Sequence, residues 1–177
     1  IPRDVSYRAM TVHTEPDTGE TCLYAATWSP SKGPGPIILR SVDGTAWKKV
    51  PVLGPAGQRA GWVGAVFPRA DGVAVLTHSA SLNESTEAHL WTSTDGVTFA
   101  EVAAGPADVF DNAAVSQVLE VGSGLVAVGA SPWGEFVPTA TVWTSNDGLR
   151  WERVTPNGNG FADAYIQAVT VAGDGYL

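Results

Sequence analysis

The tetrapeptide Ser-x-Asp-Gly recurs at a fixed interval, and no other feature of the chain constrains its fold as tightly. The copies are Ser41-Val42-Asp43-Gly44, Ser93-Thr94-Asp95-Gly96 and Ser145-Asn146-Asp147-Gly148, with successive aspartates 52 residues apart. A period of that size marks stacked or radially arranged supersecondary units. Each copy lies between apolar, β-branched runs and reads as a hairpin turn. Gly44, Gly96 and Gly148 are free to take positive φ, and each Asp carboxylate can accept from backbone amides two residues on. Trp47, Phe99 and Trp151 follow each turn, with Val50, Val102 and Val154 at strand spacing beyond them. These residues are expected to bury, facing Leu39, Trp91 and Trp143 on the incoming strands.

The stretches between turns repeat as well. Expected first strands are 5–14, 62–67, 115–121 and 166–171, each followed by a Gly-containing turn and a second apolar strand. Apolar residues alternate or run in short blocks, and Gly or Pro interrupts every longer window, so helix has no foothold. The expectation is an all-β chain of four-stranded antiparallel blades, as in a β-propeller, at 5–50, 62–102 and 114–154, with 164–177 opening a fourth. Propeller rings take roughly 4 to 8 blades. The remaining blades of a ring of about six or seven are therefore expected from further chain or from another chain.

The turns resemble the Asp-box (BNR) repeat of sialidase-like β-propellers, whose common pattern is Ser-x-Asp-x-Gly-x-Thr-Trp. The copies here place Gly directly after Asp. The resemblance implies that the boxes join the third and fourth strands of a blade, on the face opposite the ligand site. It thus implies a structural role for Ser41, Asp43, Gly44 and Trp47, for Ser93, Asp95, Gly96 and Phe99, and for Ser145, Asp147, Gly148 and Trp151. A sialidase would add a cluster of arginines, a Tyr/Glu nucleophile pair and an acidic proton donor, and only Arg3, Arg8 and Arg59 lie near the expected inner mouth.

Net charge is −8, and the Lys and Arg residues are dispersed. A nucleic-acid backbone would meet repulsion. No run of 18 apolar residues exists, which argues against a helical membrane span. The lone Cys22 forms no internal disulfide, and its apolar neighbours point to burial. No cofactor is called for, and the expected location is extracytoplasmic.

Function is sought in the loops between second and third strands and between blades, because they vary while the scaffold repeats. Trp133 and Phe136 are candidates for stacking a saccharide, with Trp28 beside them; packing beneath their own loops is the rival reading. Asp111 and Asp163 are candidate acids, bases or hydroxyl acceptors, with loop capping as the rival. Trp62 and Tyr165 occupy equivalent places at the start of first strands, where the third unit has Ala114. His78 and His89, with Glu84 and Glu87, lack tight ligand spacing and read as a solvated loop, so no metal site is expected. The expected function is a noncatalytic, exported binding module for a glycan or protein partner. The alternative is a glycoside hydrolase of sialidase-like type, whose paired carboxylates lie partly outside these residues.

Overall fold

A computed structural model describes residues 6–16, 18–28, 37–50, 62–78, 87–102, 108–132, 138–154, 161–172 and 175–176. The first sheet holds β1 (Ser6–Thr14), β2 (Thr21–Trp28), β3 (Ile37–Ser41) and β4 (Lys48–Val50), hydrogen-bonded in chain order. The second holds β5 (Trp62–Arg69), β6 (Gly72–His78), β7 (Ala88–Ser93) and β8 (Ala100–Glu101) in the same order. The third repeats it with β9 (Ala114–Val121), β10 (Gly124–Ser131), β11 (Thr139–Ser145) and β12 (Trp151–Val154). Every neighbour is antiparallel. This is the all-β, propeller-blade architecture that the repeat predicts.

The first strands β1, β5 and β9 touch one another across the sheets, which places them innermost. Burial explains the composition of the strands behind them. All of β6 is buried, as suits a strand with a blade packed on each face. Between the first and second blades lie Cys22, Tyr24, Ala26, Ile38 and Val50, packed with Val63, Val66, Val73, Val75 and Trp91. Between the second and third lie Ala65, Phe67, Ala74 and Leu76, packed with Phe110, Val115, Leu125, Trp143 and Trp151. Phe67 meets Trp151 edge-on at 5.7 Å, and Phe110 contacts Trp143 and Trp151 at 5.3 Å each. Each aromatic of the third and fourth strands therefore faces the preceding blade. Truncating a ring so placed to Ala costs about 3 to 5 kcal/mol.

The Ser-x-Asp-Gly turns close by one set of bonds. Asp43 Oδ1 accepts from the amides of Thr45 and Ala46 at 2.8 Å each, and Ser41 Oγ accepts from the Gly44 amide at 3.0 Å. Asp95 Oδ1 takes Val97 and Thr98 at 2.8 and 2.7 Å, and Asp147 Oδ1 takes Leu149 and Arg150 at 2.8 Å each. These amides hold the Asp43 and Asp95 carboxyls down to about 2, and lower that of Asp147. Gly44, Gly96 and Gly148 have φ of 71°, 65° and 72°. Trp47 and Trp151 each donate Nε1–H to the carbonyl of their turn glycine, at 3.1 and 3.2 Å.

The turns also lock blade to blade. A Cβ on Gly96 would stand 1.7 Å from the Tyr24 hydroxyl of the first blade. One on Gly148 would stand 2.9 Å from the Arg69 side chain of the second, and Arg69 Nε donates to the Asp147 carbonyl at 3.1 Å. Tyr24 in turn donates to Glu15 Oε1 at 2.7 Å, and Arg40 bridges Glu15 and Glu20 at 2.8 and 2.9 Å. Asp turns and the loops joining first to second strands thus share one end of the array.

Four expectations need correction. Residues 164–170 form no strand; among the described residues of the fourth unit only β13 (Val171–Ala172) and β14 (Gly175–Tyr176) pair. The reason is that its amides turn to the third blade, Ile166 N to the Gly129 carbonyl at 3.3 Å and Val169 N to Gln117 Oε1 at 2.9 Å. Val154 is exposed rather than buried: Val50 packs in the core between the first and second blades and Val102 against the core between the second and third, whereas Val154 joins neither. Trp47 and Phe99, expected to bury, are only half-buried and lie just ahead of β4 and β8. A short 3-10 turn at Asp108–Phe110 leads into β9, where no helical residue is expected. Among the described residues, no helix is long and apolar enough to cross a membrane.

Candidate functional site

Opposite the Asp turns lie the starts of β1, β5 and β9 and the ends of β2, β6 and β10. Each inner strand carries one extra residue near this end. The pairing skips Arg8 between Tyr7 and Ala9, Gly64 between Val63 and Ala65, and Ser116 between Val115 and Gln117. A β-bulge bends its strand and re-aims the side chains on either side, and bulges concentrate beside active sites. Here the bulge swaps the parity of β5: Val63 and Val66 face the first blade while Ala65 and Phe67 face the third.

Trp62 opens β5 beside this bulge, directly opposite His78 on β6. Indole and imidazole stack with centroids 5.3 Å apart and planes 23° from parallel. Trp62 is half-buried, but His78 is only 1% exposed. Among the described residues its Nδ1 and Nε2 have no hydrogen-bond partner, and burial drops its pKa to about 4. His89 is occupied elsewhere, with Nδ1 2.7 Å from Glu101 Oε1. The two histidines therefore serve different neighbours; Glu87 is exposed, and Glu84 lies outside the described residues. The reading of His78 as part of a solvated loop is corrected: the last residue of β6 is sealed beneath Trp62.

Asp111 and Asp163, paired in the sequence reading, hold different positions. Asp111 Oδ1 accepts from the Ala88 amide at 3.0 Å, tying the lead-in of the third blade to the start of β7. One repeat later the backbone of Ala162 bridges to Thr139 at the start of β11, so at 111 a carboxylate makes the link that main chain makes at 162. Asp163 instead matches Asn112: their φ values are 56° and 54°, and each follows a Phe by two residues. Asp163 is exposed, and among the described residues its carboxylate makes no hydrogen bond or ion pair. Tyr165 is 48% exposed on the same segment. Trp133 and Phe136 lie outside the described residues, and Trp28 is placed only as the last residue of β2.

The metal-capable side chains that gather among the described residues are Glu15, Glu20 and Cys22, with ligand atoms within 4.8 Å of one another. They sit at the Asp-turn end. The Arg40 guanidinium already bridges both carboxylates, and burial first, then the carboxylates beside it, pushes the Cys22 thiol up to about 11. That chemistry is a clasp within the first blade, on which the Gly96 turn of the second is seated, not a cation cradle. The sequence gives no sign of the His78 stack, since only the bulge brings residue 62 over residue 78.

No protein-family model matches the chain, and no curated protein does. Its fold matches solved structures. A Bombyx mori GH32 beta-fructofuranosidase superposes with a TM-score of 0.55 at 17% identity, over 88% of this chain and 38% of that one. A sucrose-6-phosphate hydrolase from Lactobacillus gasseri gives 0.58 at 12% identity, over 83% and 33%. The GH93 alpha-L-arabinofuranosidase of Fusarium graminearum, in complex with arabinobiose, gives 0.52 at 18% identity, over 89% and 50%. The chain thus spans half or less of the length of each of these proteins. The likeness shows the fold, and the three proteins named are glycoside hydrolases. This corrects the expectation of a noncatalytic binding module in favour of the hydrolase alternative.

Proposed function

We propose that the chain forms part of a β-propeller glycoside hydrolase that cleaves a furanosidic bond, with the saccharide held at the end opposite the Asp turns. The observation that carries this reading is the blade architecture shared with fructofuranosidase and arabinofuranosidase folds. Glycoside hydrolysis needs two carboxyl groups flanking the scissile bond, one to protonate the leaving oxygen and one to act as nucleophile or base. Asp163 supplies one of them, because its carboxylate stands at the correct end and is not engaged in holding the fold. Asp111 is a positioning residue, one oxygen being committed to the Ala88 amide. Trp62 offers an apolar ring face to the sugar. The second carboxylate belongs to the remaining blades. The Ser-x-Asp-Gly turns act as Asp boxes in the structural sense, and an extracytoplasmic location suits an enzyme of extracellular glycans.

Purified full-length protein incubated with sucrose, arabinobiose and sialyllactose tests the proposal. Monosaccharide release from sucrose or arabinobiose is expected, with Asp163→Asn lowering kcat by at least about 100-fold, the scale of a lost acid or base. Cleavage of sialyllactose alone would return the reading to a sialidase. No cleavage of any of the three, in protein shown to be folded, would contradict it.

A further inference from the structure

Asn112 and Asp163 hold a left-handed backbone, at φ 54° and 56°, and every other positive-φ position among the described residues is a glycine. An L residue meets steric resistance in that region, and asparagine and aspartate tolerate it best. Glycine makes the same turn without strain, so the fold alone requires no side chain at either place. Strained backbone of this kind gathers at functional sites. Asp163 is the carboxyl group proposed above for the chemistry. Asn112 occupies the same place one blade earlier and is exposed. The tie between its lead-in and the second blade is made by its neighbour instead, Asp111 Oδ1 accepting from the Ala88 amide at 3.0 Å.

The inner strands give Asn112 its neighbour. β5 and β9 touch, and a Cβ on Gly64 would lie 3.4 Å from the Val115 carbonyl. Both strands start at the end opposite the Asp turns and rise alike per residue, so two steps back along each bring Trp62 level with Ala113, with Asn112 next in line. His78 backs one face of the Trp62 indole, which is half-exposed, and the position 52 residues beyond Trp62 is only Ala114. We infer that Trp62 and Asn112 form a saccharide subsite at the seam between the second and third blades, the indole stacking on the C–H face of a sugar ring and the amide exchanging hydrogen bonds with its hydroxyls. The inference rests on the hydrolase proposal for its ligand class. A carboxamide has two N–H donors and a carbonyl acceptor and carries no charge, so it matches hydroxyls of either sense. Successive seams thus share one backbone device, with an amide for recognition at the first and a carboxylate for chemistry at the next.

Full-length Asn112→Gly removes the amide while relieving the backbone, so the melting midpoint should hold. Titration calorimetry with arabinobiose and sucrose, beside steady-state kinetics and a thermal melt, reads the outcome. Kd and KM for the recognised sugar should rise about tenfold with kcat moving less than about twofold, the pattern of a group that binds substrate and transition state alike. Asn112→Asp tolerates the same φ but loses both donors, and should weaken binding about threefold. Trp62→Ala should weaken it about tenfold or more, on the scale of a ring stacked on an aromatic. Affinity unchanged in Asn112→Gly or in Trp62→Ala overturns the inference. If the glycine variant does not fold, Asn112→Asp decides by its own threshold. A protein that cleaves sugar with Asn112→Gly unaffected loses the inference alone. One that binds without cleaving loses the hydrolase reading, and Kd still decides the subsite. One that neither binds nor cleaves loses both.

Discussion

Sealing His78 where no described group meets its nitrogens ties the fold to the neutral imidazole. Its pKa falls from 6.5 to about 4 on folding, so the unfolded chain takes up a proton through this window and the folded chain does not. The stability held above pH 6.5 is therefore lost progressively as pH falls toward 4, by about 3 kcal/mol for a shift of this size. His13, also lowered by burial, acts in the same direction. Urea unfolding from pH 7.5 to 4.5 should show this slope, and His78→Phe should flatten it to the share left by His13; an unchanged slope in the variant would contradict the burial. The Asp turns behave differently, since the Asp43 and Asp95 carboxyls lose their contribution only below their ordinary value of 3.8, toward about 2. Those aspartates were legible residue by residue, because the bonds they make are local. His78 was not, because what buries it is a partner strand and a bulge.

At the scale of the element, a turn has two separable parts, its own backbone and its seat on the next blade. Gly44 and Gly96 share φ near 70° (71° and 65°), yet a Cβ on Gly44 would meet only Leu23 of its own blade at 3.9 Å, while one on Gly96 would strike Tyr24 and Glu15 of the neighbour. Gly44→Ala should therefore cost about 1 to 2 kcal/mol for left-handed strain alone. Gly96→Ala should cost roughly 1 to 3 kcal/mol more for the overpacked seam. Equal losses in chemical denaturation would show that the turn does not seat on the first blade. The repeat made turns, strand order and the burial of Trp151 readable from the sequence, but not that it faces the preceding blade. Bulges at Arg8, Gly64 and Ser116 carry no shared residue type and so left no mark. The fourth unit misled for a related reason: Ile166–Val171 alternates like a strand, but its amides are spent on the third blade.

Across the whole molecule, the two ends of the blades divide their work. Clasped turns and the Glu15–Arg40–Tyr24 network gather at one end, and bulges, the Trp62–His78 stack and the exposed Asp163 gather at the other. The fold was legible because a 52-residue period admits few architectures. The reaction was not, because it depends on a pair of carboxylates set by separation in space rather than by spacing in sequence. The division of ends is the central claim, and a crystal structure of the full-length protein soaked with arabinobiose or sucrose tests it most directly. The account predicts sugar density against Trp62 and within hydrogen-bond reach of Asp163, with the Ser-x-Asp-Gly turns untouched. Density seated on those turns, at the end held by Glu15 and Arg40, would contradict it.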